Sequence, residues 1–442
     1  MAGGTWIDQN KVRPGVYINY KSSPSSLATM GERGVVAIGW LPTWGVREKF
    51  YEINGTEDTE KLGYPITAPE MLFIRQILRG TNRTSGASKI LVWALASTGS
   101  ASATATIGNL VATAKYAGTF GNRLSVGIVA GSDDFVVTTY LDGKSVDSQT
   151  VETIAGLSAN DYVTWSGSGA LAANSGVTLT GGSNGTASAE GYQNFRTALS
   201  VQKFDVVIYD GSDASEKALF ATFVQNQSNA EGNKCQLVVS NYPSADNECV
   251  ISVYPQSIQL LDGTTLTAPQ LTWWIGGASA GANAFESLTY ASHPDAVSVS
   301  PALTSAQQEA AINGGQLALI GQFGVIQVLT DINSFRSFSV EKGKAFRKNR
   351  VVRTVFGLCN DIYKTFALYY IGAVHNDEDG RKSLKAEILN IMDRYQGNRA
   401  LQNVVADDVT VSPGIDSDAV VIEIYCQPVD SIEKIYINIT IS

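Results

Sequence analysis

Histidine, cysteine and charge are all scarce in this sequence, and each shortage removes a class of chemistry. There are two histidines in 442 residues, His293 and His375. Any Ser-His-Asp or Cys-His device must therefore use one of them. The four cysteines, Cys235, Cys249, Cys359 and Cys426, are far apart and form no CxxC. That spacing argues against a zinc site and for buried, reduced thiols. No metal or cofactor is expected. Charged residues make up 17% of the chain, below the roughly 25% of ordinary soluble domains. The formal net charge is −9, which argues against general nucleic-acid binding, because phosphate neutralisation needs a basic surface. No apolar run approaches the roughly 18 residues of a spanning helix, and Met1 leads into no signal-peptide pattern. Neither membrane insertion nor Sec export is expected.

What remains is apolar and small. Hydrophobic residues reach 44%, enough for a large core. Sparse charge, with Gly, Ser, Thr and Ala abundant, suggests a surface covered by something else, and copies of the same chain are the simplest candidate.

Patterning divides the chain into five parts. Residues 1–26 form an extended N-terminal arm in which Val12, Pro14, Val16, Ile18 and Tyr20 share one side. Pro14 restricts that arm to an edge. Residues 27–97 open an α/β core, with Val35-Val36-Ala37-Ile38-Gly39 and Ile90-Leu91-Val92-Trp93 as buried strands. Between them Thr67-Ala68-Pro69-Glu70 reads as a capping box for a helix ending at Gly80. Residues 98–189 lose charge and show short alternating runs, with Asp142-Gly143 as a hairpin turn. They read as an inserted β-rich domain that folds by itself and faces outward. Residues 190–335 resume the α/β core, with caps at Asp213 and Thr304 and strands at 204–209, 236–239 and 325–329. Residues 336–442 form a C-terminal α+β assembly domain. It has helices near 346–371 and 383–395, a strand at 419–425 and a terminal strand from 432 to 441. In that last strand Ile435, Ile437, Ile439 and Ile441 face one way. The fold class is thus multidomain α/β and α+β, an α/β core sheet interrupted by a β-rich insertion, with extended terminal arms.

Few constellations suggest chemistry. Gly276-Gly277-Ala278-Ser279-Ala280-Gly281 lacks the Lys-Ser/Thr of a phosphate loop and reads as a flexible loop. The run from His375 to Gly380 would place Ala386 at the twelfth ligand position of a calcium loop, so an acidic turn between helices is expected. His293-Pro294-Asp295 has no serine in a nucleophile elbow to serve. The one marked charge asymmetry is Lys342, Lys344, Arg347, Lys348, Arg350 and Arg353. The cluster reads either as a solvated helix start or, because basic residues there oppose the macrodipole, as a patch that meets an acidic partner surface.

Several segments resemble those of contractile tail sheath proteins from phage tails and phage-tail-like bacteriocins. They are Arg13-Pro14-Gly15-Val16-Tyr17, the strand after Gly31-Glu32-Arg33-Gly34, and Tyr116-Ala117-Gly118-Thr119-Phe120-Gly121-Asn122. To these are added the Gly-rich run from Leu179 to Gly185 and the ending from Pro428-Val429-Asp430 onward. The resemblance implies a non-enzymatic subunit of a homopolymer around an inner tail tube protein, with a baseplate and a tail terminator as further partners. It implies release as a virion tail or phage-tail-like particle. Neighbouring subunits are expected to pair strands through Val12, Val16, Ile18, Ile435, Ile437, Ile439 and Ile441. Lys344, Arg347, Lys348, Arg350 and Arg353 are the expected tube contacts. The rival readings are another phage structural protein such as a tube or capsid subunit, a β-rich surface adhesin, or a hydrolase on the α/β scaffold.

Overall fold

The computed structural model describes residues 33–441 and, before them, a two-residue parallel pairing of Gly3–Gly4 with Val16–Tyr17. Val12 and Ile18 lie outside the described residues.

At the centre is a seven-stranded sheet in the order Gln316–Leu317, Val250–Val253, Gln236–Ser240, Val206–Tyr209, Val35–Trp40, Lys89–Ala94, Phe50–Ile53. All neighbours are parallel except the last pair. The central strands, such as Val206–Tyr209 and Val35–Trp40, are runs of apolar residues because both faces are covered. Val36, Ile38, Ile90, Val92, Val206 and Ile208 point to one core cluster. Ala37, Leu91, Trp93, Val207 and Tyr209 point to the other. The first face carries α1 (Leu72–Leu78); the second carries α2 (Ala189–Leu199) and α3 (Ala214–Asn229).

The helix that covers the middle of the first face is α4 (Ala268–Gly281), and it includes the glycine run expected to be a loop. Thr267 and Gln270 form its capping box, and nine of its residues are buried. The glycines serve close approach rather than flexibility. A Cβ at Gly277 would sit 2.0 Å from the carbonyl oxygen of Ile77, and one at Gly281 would lie 2.3 Å from those of Ser85 and Gly86. The flexible-loop reading is therefore corrected: glycine's low helix propensity is outweighed by tertiary contact here.

Other local expectations divide. Asp213 caps α3 by accepting from Glu216 N at 2.8 Å, and Thr304 caps α5 (Ser305–Asn313). The box at Thr67 does not form. A short 3-10 turn (Pro69–Met71) precedes α1, with no side-chain cap. Val325–Val328 pairs with Leu319–Gln322 and stays out of the main sheet.

The β-rich insertion is a sandwich. One sheet runs Lys144–Val151, Phe135–Leu141, Leu124–Ala130, Asn174–Thr178, and the other runs Val163–Gly167, Leu110–Ala114, Thr104–Ile107. Their inner faces share Ile107, Leu110, Val126, Ile128, Val137 and Val163. Asp142 and Gly143 both have positive φ, 49° and 79°, as a tight hairpin turn requires.

The insertion does not stand apart from the core. Phe120 is buried in the first-face cluster, 4.8 Å from the ring of Trp44 and 5.6 Å from that of Tyr64. Arg47 grips both chain crossings of the neck. Its guanidinium donates to Ser97 Oγ at 2.7 Å and Leu95 O at 3.2 Å on the way in, and to Asn184 O at 3.2 Å on the way out. Nothing in the spacing of residues 98–189 pointed to Arg47, because its partners are mostly backbone carbonyls.

The chain forms two compact units. The larger comprises residues 32–357 and 428–442, so residues 336–357 and the terminal segment make their contacts with the α/β core. The smaller includes residues 358–427, with most of α6 (Asn349–Tyr369), all of α7 (Glu378–Gly397) and an antiparallel pair, Val409–Pro413 with Val420–Ile424. Ile388, Ile391, Met392 and Tyr395 of α7 are buried, and Tyr395 Oη donates to Asp361 at 2.8 Å. The acidic turn behaves as expected. Asp377 caps α7 by accepting from Gly380 N at 2.8 Å.

Candidate assembly surfaces

Asp331, in the larger unit, is a deeply buried and heavily bonded acidic group. Its carboxylate accepts from Leu288 N at 3.0 Å, Asn349 Nδ2 at 2.8 Å and Arg353 Nη2 at 2.5 Å. A carboxylate this deep is tolerable only when paired and fully hydrogen-bonded. Arg353 also donates to Glu286 O at 3.0 Å. The start of α6 is thereby fastened to two core loops.

This placement corrects the expected tube-facing cluster. Arg353 is 1% exposed and cannot meet a partner surface in the folded subunit. The sequence pattern counted it with its basic neighbours because charge was taken to mean exposure, but a partner 22 residues upstream neutralises it. Arg347 is also buried, with its Nε and Nη2 meeting no hydrogen-bond partner among the described residues. Burial pulls its pKa down, with Arg336 adding repulsion. Lys348 forms an ion pair with Glu433 of the terminal segment, and Lys342 pairs with Glu248 at 2.5 Å. Arg350 is half-buried, and burial lowers its pKa too. Lys344 alone among the five is exposed.

The terminal isoleucines are differently placed. Residues 432–441 form neither helix nor strand in this chain. Ile435, Ile437, Ile439 and Ile441 are 75%, 74%, 83% and 91% exposed. Four large apolar side chains at alternate positions in open solvent are unusual for a monomer surface. The strand pair Val409–Pro413/Val420–Ile424 has no third strand among the described residues.

His293 is committed to structure. Its Nδ1 accepts from Asp295 N at 3.1 Å, which leaves the Nε2 proton to donate to Gln76 Oε1 at 2.9 Å. Its ring lies edge-on to Trp274. Desolvation holds its pKa down at about 4, against a raising effect of Asp295. With both nitrogens used, it offers no lone pair for general-base work. Among the described residues no group of three His, Cys, Asp or Glu could hold a metal ion. No helix among them is long and apolar enough to cross a membrane.

Family models assign successive stretches of the chain. The phage tail sheath protein beta-sandwich domain matches residues 97–184, the central domain 185–334, and the phage tail sheath C-terminal domain 341–442. The chain belongs to the phage tail sheath family. Its fold matches the sheath tail protein of Desulfitobacterium hafniense with a TM-score of 0.84 and 40% identity, covering 96% of this chain and 99% of that one. The phage-like element PBSX protein XkdK of Bacillus subtilis is 31% identical over the whole length of both chains. The helical sheath of the anti-feeding prophage in its contracted state shares the fold at 13% identity, with a TM-score of 0.56, over 97% of this chain and 99% of that one. This sheath chain is thus a structural subunit of a tail sheath, as the sequence resemblance implied.

Proposed function

We propose that this sheath subunit polymerises helically around an inner tail tube and contracts to drive the tube through a cell envelope. Its terminal segments would serve as links between subunits. The observation that carries this reading is the row of exposed isoleucines at 435, 437, 439 and 441, together with an open-edged strand pair in the same chain. An extended segment gains affinity from main-chain hydrogen bonds when it joins a sheet edge, and alternate side chains supply specificity. A contact of unlike surfaces repeated from copy to copy yields open, helical assemblies. Val12, Val16 and Ile18 belong to the same proposal for the N-terminal arm. Tube contact through the basic cluster narrows to Lys344 and the half-buried Arg350. Baseplate and terminator contacts, assembly in the bacterial cytoplasm and a non-catalytic role complete the reading.

The test is electron microscopy of the purified chain. Hollow tubes of uniform width support the proposal, and their loss on deleting residues 434–442 from a folded protomer supports the linking role. Discrete closed oligomers, or tubes that form equally well without the segment, sink it.

A further inference from the structure

The terminal segment has a definite point of departure. Glu433 is the last described residue that is not exposed; beyond it, residues 434–441 are all exposed. Its carboxylate is seated on three separate stretches of chain. Oε1 accepts from Thr289 Oγ1 at 2.8 Å, Oε2 accepts from Thr330 Oγ1 at 3.2 Å, and Lys348 Nζ completes an ion pair. The carboxylate side chain is 15% exposed and the lysine 24%, so water screens the pair only partly.

This seat is continuous with the buried charge network. Thr289 Oγ1, which donates to Glu433, accepts from Asp331 N at 2.9 Å, and the carboxylate of Asp331 holds Arg353. Lys348 directly precedes α6, whose second turn carries Arg353. A pull on Glu433 is therefore resisted by the core loops and the helix start together. Two residues farther on, at Ile435, there is no such attachment. The change from a charged, triply bonded side chain to bare isoleucines takes place across Lys434.

We infer that Glu433 is the anchor of the C-terminal link. In the assembled sheath, residues up to 433 stay on the Thr289–Thr330–Lys348 seat of their own subunit, and only residues 434–442 pass to a neighbour. This rests on the reading that the terminal segment pairs with another copy. It adds which residue holds the link and how much of the chain crosses. Glu433 acts through position, by fixing where and in which direction the linking strand leaves.

Zero-length carbodiimide coupling tests this on the native chain, because it joins a lysine amine to a carboxylate already in contact. Tubes are assembled from an equal mixture of isotope-labelled and unlabelled chains, coupled, and digested for mass spectrometry. The Lys348–Glu433 product is expected in both protomers and tubes, always with its two halves carrying the same label state. Mixed-label Lys348–Glu433 products, or loss of that product on assembly, overturn the anchor. Products from Lys434 report separately on the link itself. If they are never mixed-label while Lys348–Glu433 stays within one subunit, neighbour pairing fails and the anchor stands. As a second measurement, Glu433→Ala is expected to raise the protein concentration needed for tube formation about tenfold, with the protomer still folded as judged by circular dichroism. An unchanged threshold overturns the inference.

Discussion

Arg353 and Asp331 face each other at 2.5 Å with their side chains 0% and 1% exposed, one carried on a helix start and the other on a loop. The pair replaces an exposed basic stripe with a buried joint. A buried pair adds little net stability, but removal of one member leaves an uncompensated charge. Arg353→Met is expected to lower unfolding stability by about 3–5 kcal/mol, measured as the urea midpoint of the protomer. Arg353→Lys should recover only part of this, since a single ammonium cannot reach both Asp331 and Glu286 O in the same geometry.

His293 predicts a pH dependence. Its pKa is about 4 in the folded chain and about 6.5 unfolded, so the unfolded state binds the extra proton first. The contribution of neutral His293 is complete above pH 6.5 and is lost as pH falls from there to about 4, by up to roughly 3 kcal/mol. Urea midpoints from pH 7 to 4 should fall more steeply for the wild type than for His293→Gln. Parallel curves would show that His293 does not titrate on unfolding.

Much of this architecture was legible. Buried strands such as Val35–Trp40 and Lys89–Ala94 are runs that only a two-sided sheet needs, and Asp213 and Thr304 announce their helices by local hydrogen bonds. Long-range pairing was not legible. Whether Arg353 meets solvent or Asp331, and whether Gly277 bends a loop or admits Ile77 O, depends on segments dozens to hundreds of residues away. The isoleucine alternation at 435–441 reads as a strand, yet those residues form none within this chain, because no sheet edge among the described residues of the same subunit receives them. Its seat at Glu433 went unseen because Thr289, Thr330 and Lys348 share no sequence neighbourhood.

The insertion was expected to be separable, and its contacts predict otherwise. Phe120→Ala removes a ring from the first-face cluster and should cost about 3–5 kcal/mol. Replacing residues 98–189 with a Gly-Ser linker should expose Trp44 and Tyr64 and lower the melting temperature of the remaining core. An unaltered melting temperature would restore the separable reading.

Gly277 and Gly397 should respond oppositely to the same change. Both are helical, and alanine ordinarily favours a helix by up to about 1 kcal/mol over glycine. At Gly397, where nothing lies within 4 Å of a Cβ, Gly397→Ala should be neutral or stabilising by several tenths of a kcal/mol. At Gly277 the Ile77 carbonyl blocks a Cβ, so Gly277→Ala should yield little soluble protein. Expression yield and melting temperature decide both.

Lys344→Glu tests the remaining tube contact. One exposed pair is worth about 0–1 kcal/mol, but repetition along a polymer multiplies it. Co-sedimentation with purified inner tube should weaken at low salt and converge with wild type at high salt. Equal binding at low salt would remove Lys344 from the interface.

The contact of α4 against the Ile77 and Ser85–Gly86 carbonyls has a mechanical consequence. Where backbone rests on backbone there is no side-chain rotamer to take up a displacement, so the contact can yield only by moving the main chain of α4 or of its neighbours. A subunit whose centre is built this way carries load through its body with little loss of shape, and its compliance lies in the segments that leave it.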